Sequence, residues 1–271
     1  MNFHKTISHL VSLGNYFWGG FAGLAGCFCF FAVWQLAHEL YGSYVLPSPQ
    51  QTLQAMVLLV QTDKFAEMAK ITAERSFMGF ALAGSIGILG GVLCGYSFAA
   101  IRLMRPIIII LLGVPPIGWI VLALIWFENG GGSVIMTIAV ASFPLIFINS
   151  VQAIATRDRS LDDMARAFNI GIFKRFRTIT FPQMVSYIFP ALSLSAGSAW
   201  KVAVMAELLS YSGGLGGLLF EARSTFDVPE VTAIIMIIVC FALITEFGII
   251  HPIREFFESW RHASEPWGVK K

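Results

Sequence analysis

Lys201 lies inside an apolar stretch, with Ser198 three residues before it and Glu207 six residues after it. A cation at the centre of a bilayer costs about 2.5–3.5 kcal/mol on insertion scales, so such a lysine faces a bundle interior or a water-filled cavity, or else snorkels to the headgroups. At ~1.5 Å per residue it stands roughly 25 Å beyond a helix start near Met184. Two readings fit: Lys201 snorkels to the outer surface, or it lines a polar path and attracts an anionic solute. Ser198 shares its face, and Ser193 and Ser195 lie about two turns below on flanking faces, where they could widen a polar stripe. Glu207 is roughly 120° around the helix and so does not face Lys201 within one chain. It reads as pairing across a dimer or as a gate residue at the outer end.

Pro115 and Pro116 interrupt a second apolar stretch, with Trp119 just beyond. Two missing backbone donors should break that helix, which a membrane tolerates only where protein or water satisfies the freed carbonyls. Trp119 then lines the break; a plain packing kink is the alternative. Glu246 falls near a helix end, where an acid reaches water, and has no role assigned. His4, His9, His38, His251 and His262 lack ligand spacing such as H-E-x-x-H, and Cys27, Cys29, Cys94 and Cys240 lack C-x2-C spacing. No metal site is expected, and the cysteines read as buried thiols. The cluster Gly213-Gly214-Leu215-Gly216-Gly217 lets the backbone bend or approach closely. It lacks the G-x-x-x-x-G-K-[ST] spacing of a phosphate cradle.

Residues 155–182 form the polar segment with the most to offer. Ser160-Leu161-Asp162-Asp163 reads as a helix start, with Ser160 capping and Asp163 reaching back while complementing the helix dipole. A helix over Leu161 to Phe168 then places Leu161, Met164, Ala165 and Phe168 on one apolar stripe, with Asp162 and Arg166 pointing elsewhere. Asn169 suits the left-handed residue that ends it. A second helical piece, Ile172 to Ile179, is expected to stop before Phe181-Pro182. On pattern alone two readings stand equal: a knob that docks in a groove of another protein, or an interfacial helix pair whose Lys174, Arg175 and Arg177 face anionic lipid.

These residues need elements to hold them, and the composition says of which kind. Of 271 residues 56% are apolar and 13% charged, against about 25% charged in soluble domains; the mean hydropathy is +0.73. A soluble enzyme is not expected from this composition, and a net charge of +2 gives no bulk pull on nucleic acid. Runs of about 20 apolar residues without period-2 alternation mean helices, not a barrel. Spans are expected near 17–39, 76–99, 106–127, 133–154, 184–208 and 230–250, giving an all-α polytopic membrane protein with about six transmembrane helices. The fairly polar start, before a stretch long enough to stay in the bilayer, reads as a first span rather than a signal peptide. Lys and Arg favour one side of these spans roughly threefold, which places both termini in the cytoplasm. The layout is a cytoplasmic N-terminus (1–16), a transmembrane domain (17–250) with loop 155–182, and a cytoplasmic tail (251–271).

Asp163-Met164-Ala165-Arg166-Ala167-Phe168-Asn169, then nine residues, then Ile179-Thr180-Phe181-Pro182, resembles the E-A-A-x-x-x-G-x9-I-x-L-P signature of binding-protein-dependent ABC importer permeases. Asp163, Met164, Asn169 and Phe181 depart from it, each keeping the charge, the apolar face or the turn. Leu46-Pro47-Ser48-Pro49, Val114 to Trp119, Ala199-Trp200 with Ala206-Glu207, and Ser212 to Gly216 look like further segments of the nitrate, sulfonate and taurine branch. Together they cover most of the chain beyond residue 40.

The resemblance implies a type I ABC importer permease subunit of the plasma (inner) membrane, forming the pathway for a small polar or anionic solute. It implies a homodimer or a paired similar permease, a cytoplasmic ABC ATPase dimer and an extracytoplasmic binding protein. Asp163, Ala165, Arg166, Asn169, Ile179 and Pro182 would couple to the ATPase; Pro115, Pro116, Trp119, Ser198, Lys201 and Glu207 would belong to the pathway. This chain would bind no cofactor, ATP and magnesium being held by the ATPase. Two rivals lack their signatures. An ion-coupled secondary transporter needs coupling-ion ligands at the midplane, and an intramembrane enzyme needs a nucleophile with its base inside the spans.

Overall fold

The computed structural model describes residues 24–127 and 130–253, and they are helical with short connections. The expected starts and ends at 1–23 and 254–271, including Lys5, His4, His9, Arg254, Arg261, His262, Lys270 and Lys271, lie outside the described residues. The chain divides into two compact units. Of the described residues, one takes in 24–59 with Ala222–Ala233; the other takes in Val60–Glu221 and 234–253.

In the first unit, α1 (Leu24–Tyr41) leads through a left-handed Gly42, φ 77°, to α2 (Pro49–Val60). The turn is held by Trp34 Nε1 donating to the Pro47 carbonyl at 2.9 Å and His38 Nδ1 to the Leu46 carbonyl at 2.7 Å. Ser48 and Gln51 then form a reciprocal capping box: the Gln51 N–H donates to Ser48 Oγ and the Ser48 N–H to Gln51 Oε1. Pro49 takes the first helical position, where its missing N–H costs nothing. Cys27 and Cys29 are exposed on α1, and Cys94 is half-buried in the second unit, so the reading of buried thiols is corrected. In a membrane span an apolar neighbourhood means lipid as readily as protein.

The second unit is built on α3 (Asp63–Gly95), α6 (Gly131–Ala155) and α9 (Phe181–Ser210). Helix α3 starts well before the apolar run at 76 because Thr62 caps it, its side chain accepting from the Phe65 N–H, and because Asp63 suits the first turn. Its small residues Gly79, Ala83, Gly87, Gly91 and Gly95 recur every fourth position, so one bare stripe faces Ile138, Ile146, Phe147, Ser150 and Ile154 of α6. This small-x-x-x-small pattern lets two membrane helices approach backbone to backbone, and the contact rests on dispersion rather than on a hydrophobic drive. Ile138, Val134, Ala199 and Ala203 continue the core toward α9.

Helix α4 (Phe98–Gly113) gives way to α5 (Pro116–Phe127) at Val114-Pro115, with a 94° bend between the two. Among the described residues five helices are long and apolar enough to cross a membrane, and the bent pair makes a sixth span if taken as one. After α6 come α7 (Arg159–Ala167) and the short α8 (Ile172–Arg175). The piece expected to stop before Pro182 does not stop. A π-helical turn, Phe176–Thr180, in which the Phe181 N–H reaches back to the Phe176 carbonyl, carries it into α9. The widened turn takes up the ladder bond that Pro182 cannot make. Helix α10 (Gly214–Ser224) and α11 (Val228–Leu243), followed by a second π-helical stretch over Ile244–Ile250, complete the described chain.

Candidate functional site

Two polar constructions stand out, one at each end of α9. At its C-terminal end Glu207 has no exposed surface. Its Oε1 accepts from Arg75 Nη1 at 2.9 Å, and its Oε2 accepts from Thr72 Oγ1 at 2.7 Å and from the Gly216 N–H at 3.2 Å. Arg75 continues to the Ser212 carbonyl at 2.9 Å, while Thr72 Oγ1 accepts from the Leu215 N–H at 2.7 Å. Tyr211, at φ 49°, turns the chain out of α9, and Gly213 and Gly214, at φ 79° and 76°, turn it back. A Cβ at Gly216 would stand 2.5 Å from the Glu207 Cβ. The glycine cluster is thus a close approach, and what it approaches is the Glu207 carboxylate.

Glu207 therefore neither waits for a dimer partner nor faces an open gate. Both carboxylate oxygens are occupied within the chain, because the adjoining face of α9 is covered by α3 and by the returning glycine loop. Arg75, which reads by sequence as one more external charge, is its counter-ion. The 132 residues between them leave no local pattern by which to pair them.

The second construction is the polar loop. Asp158, not Ser160, caps α7: its side chain accepts from the Ser160 N–H at 2.8 Å and from the Ser160 hydroxyl at 2.7 Å. The helix ends on Asn169 at φ 51°, with the Ile170 N–H bonded to the Ala165 carbonyl and the Asn169 N–H to the Arg166 carbonyl. This is the left-handed C-terminal motif that Asn can adopt without a glycine. Asp162 is buried between Arg157 at 3.4 Å and Arg175 at 3.6 Å, which ties the exit of α6, α7 and α8 together. The Asp158 N–H donates to Gln183 Oε1 at 2.9 Å, closing the loop onto α9.

Within that frame Ala165 is fully buried, while Asp163, Met164, Arg166, Phe168 and Asn169 face outward. Ile179 and Pro182 are half-buried at the base. The surface combines two opposite charges with Leu161, Met164, Phe168, Ile172 and Phe173, the last three 75–80% exposed. A rigid helix presenting apolar anchors beside charges is suited to a groove in another protein.

Hydrogen bonds from Ser160 hold the Asp158 carboxyl below its ordinary range, the side-chain bond contributing most. A depressed carboxylate stabilises the fold above its unfolded pKa, and that contribution is lost as pH falls through the lower folded value. The first turn of α7 should keep constant hydrogen-exchange protection through neutral pH and lose it only in acid below the usual carboxylate range. Asp158→Ala should abolish that acid step and leave the turn frayed at every pH; an unchanged profile would remove Asp158 from the capping role.

The remaining candidates are dispersed. Lys201 is exposed on α9, on a stripe with Leu194, Met205 and Leu209. Ser198 is half-buried and donates to the Ser195 carbonyl. Ser193 and Ser195 do not extend the stripe: Ser195 is buried, and Ser193 donates to Glu246 in the second π-helical stretch. Glu246 is thus held against α9 rather than by water alone. Pro115 and Pro116 are exposed at the break, and Trp119 is half-buried with its indole Nε1 shut in and without a hydrogen-bond partner among the described residues.

Residues 87–250 match the family described as binding-protein-dependent transport system inner membrane component. The chain is 26% identical to the putative aliphatic sulfonates transport permease protein SsuC of Bacillus subtilis, over 86% of this chain and 85% of that one. It is 27% identical to the nitrate import permease protein NrtB of Synechococcus elongatus, over 71% and 73% of the two chains. Among solved structures it resembles a chain of the MetNI methionine ABC transporter, in inward-facing conformations. The TM-score there is 0.62 at 16% identity, covering 74% of this chain and 97% of that one.

Proposed function

The chain belongs to the binding-protein-dependent transport system inner membrane components, a permease subunit of an ABC importer and not its ATPase, and from that premise we propose how its parts divide the work. Two copies, or this chain and a similar one, enclose a central pathway for a small anionic solute delivered by an extracytoplasmic binding protein. A cytoplasmic ATPase dimer, which handles ATP and its magnesium, drives alternating access through loop 155–182, and both termini lie on the ATPase side. The transmembrane domain spans 17–250, with the tail from 251 onward in the cytoplasm.

The observation that carries this reading is the polar loop. Its helix is pinned at both ends and clamped through Asp162, yet it turns Asp163, Arg166 and an apolar cluster outward. A loop built only to connect two spans needs no such rigidity; one that transmits a push does. Lys201 supports an anionic solute: it is exposed on α9, and the SsuC and NrtB relatives are named for sulfonates and nitrate, both anions. Pro115, Pro116, Trp119 and Ser198 are assigned to the same pathway. Glu207 holds its outer end in shape.

The test is uptake in cells or proteoliposomes carrying the complete importer. Asp163→Lys or Arg166→Glu should lower ATP-driven uptake about tenfold or more, the scale of losing a close charge pair at an interface, while membrane insertion stays normal. The purified chain alone should hydrolyse no ATP. Undiminished uptake by both reversals would remove the loop from energy coupling.

A further inference from the structure

A groove of about 410 Å³ opens between α4 and α6 on the side of the membrane that carries loop 155–182. Ile108 and Ile109 of α4 and Phe147 and Val151 of α6 form its walls, and Arg105 and Gln152 are its polar members. Arg105 is exposed and makes no ion pair among the described residues. Among the described residues no acid lines the groove. Asp162, ten residues beyond Gln152, is taken by Arg157 and Arg175. Arg102, three residues before Arg105, lies over the Phe98 ring at 4.4 Å, a second cation in the first half of α4.

We propose that this groove binds an anionic phospholipid, one acyl chain lying along its apolar walls and the phosphate held by Arg105 with Gln152. Depth selects a lipid over a protein partner. Arg105 stands at the edge of the span expected over 106–127, the level of headgroup phosphates, and the exposed apolar turns of α4 beyond it face where acyl chains lie. The planar guanidinium fork matches phosphate oxygens, and basic clefts between membrane helices attract anionic headgroups. The exposed Ile109 side chain offers the chain a surface that fits no polar ligand. The site is independent of which solute is imported.

Native mass spectrometry of the full chain in mild detergent, with phosphatidylglycerol and phosphatidylcholine supplied equally, reads this out. The chain should retain phosphatidylglycerol in preference. Arg105→Gln should reduce that preference about fivefold, the worth of one basic side chain near an anionic surface, and Arg105→Lys should keep most of it. Ile109→Trp, which fills the groove and leaves Arg105 in place, should lower retention of both lipids. Equal retention of the two lipids by the native chain, or native-like retention by both Arg105→Gln and Ile109→Trp, overturns the proposal. Thermal melting of each variant separates loss of lipid from loss of fold, and should Arg105→Gln fail to fold, Ile109→Trp decides.

Discussion

Glu207→Ala and Arg75→Ala are each expected to destabilise the protein by about 3–5 kcal/mol, the range for stripping one partner from a buried ion pair. The cost arises because the survivor cannot rehydrate. With Glu207 gone, an Arg75 side chain only 16% exposed keeps its charge facing Ser212 and an emptied pocket; with Arg75 gone, a carboxylate with no exposed surface retains only Thr72 and Gly216. Arg75→Leu/Glu207→Leu should recover much of the loss, since matched apolar replacement of a buried pair is often nearly neutral. The coupling energy from a cycle of the native protein, Glu207→Leu, Arg75→Leu and the double Leu variant isolates the pair itself. Thermal unfolding in nanodiscs measures all four proteins. Single variants that melt with the native protein, or strictly additive losses, would mean the contact does not hold α3, the C-terminal end of α9 and the glycine loop together.

That pair also marks where sequence reasoning stops. Apolar runs located the spans because a bilayer punishes any other arrangement of backbone, and Pro115-Pro116 located the bend because proline has no donor to give. Asn169 was legible for the same reason: few residues other than glycine adopt a left-handed turn cheaply. These are local rules. Arg75 and Glu207 obey a non-local one, since each is an ordinary charge in its own segment and only the packing of α3 on α9 brings them together. Hydropathy placed the start of α3 at 76, whereas capping by Thr62 sets it at Asp63, outside the apolar run. Ser160 as the cap of α7 fitted the pattern as well as Asp158 does. The choice falls to Asp158 because its carboxylate takes both donors of Ser160, the N–H and the hydroxyl. Resemblance to the importer permeases is the basis of the coupling role proposed for loop 155–182, and the Asp162 clamp accounts for the rigidity that role would need.

The stripe of small residues on α3 makes the second large prediction, and it reverses the usual expectation for a helix. Gly to Ala in a helix interior ordinarily stabilises by about 0.5–1 kcal/mol, because glycine gives up more backbone freedom on folding. At Gly84 that rule should hold: a Cβ there meets only the Leu192 side chain at 3.8 Å, an ordinary contact, and Gly84→Ala should be neutral or slightly stabilising. At Gly91 the same change should fail. Its Cβ would stand 2.5 Å from the Ser150 Cβ and 2.6 Å from the Phe147 carbonyl oxygen, and since one of these is main chain, a rotamer change cannot relieve it. Helix α6 has to move away, and over-packing on this scale costs about 1–3 kcal/mol. Gly91→Val should exceed that, because its branched side chain would also push apart the neighbouring contacts at Gly87 and Gly95, where a Cβ would stand 3.0 Å from Ile146 and 2.7 Å from Ile154. In a bilayer there is no water to drive the two helices back together, so lost contact is not regained elsewhere. Expression and melting temperature of Gly84→Ala, Gly91→Ala and Gly91→Val should fall in that order. A Gly91→Ala protein as stable as Gly84→Ala would mean that α3 and α6 are not seated backbone to backbone.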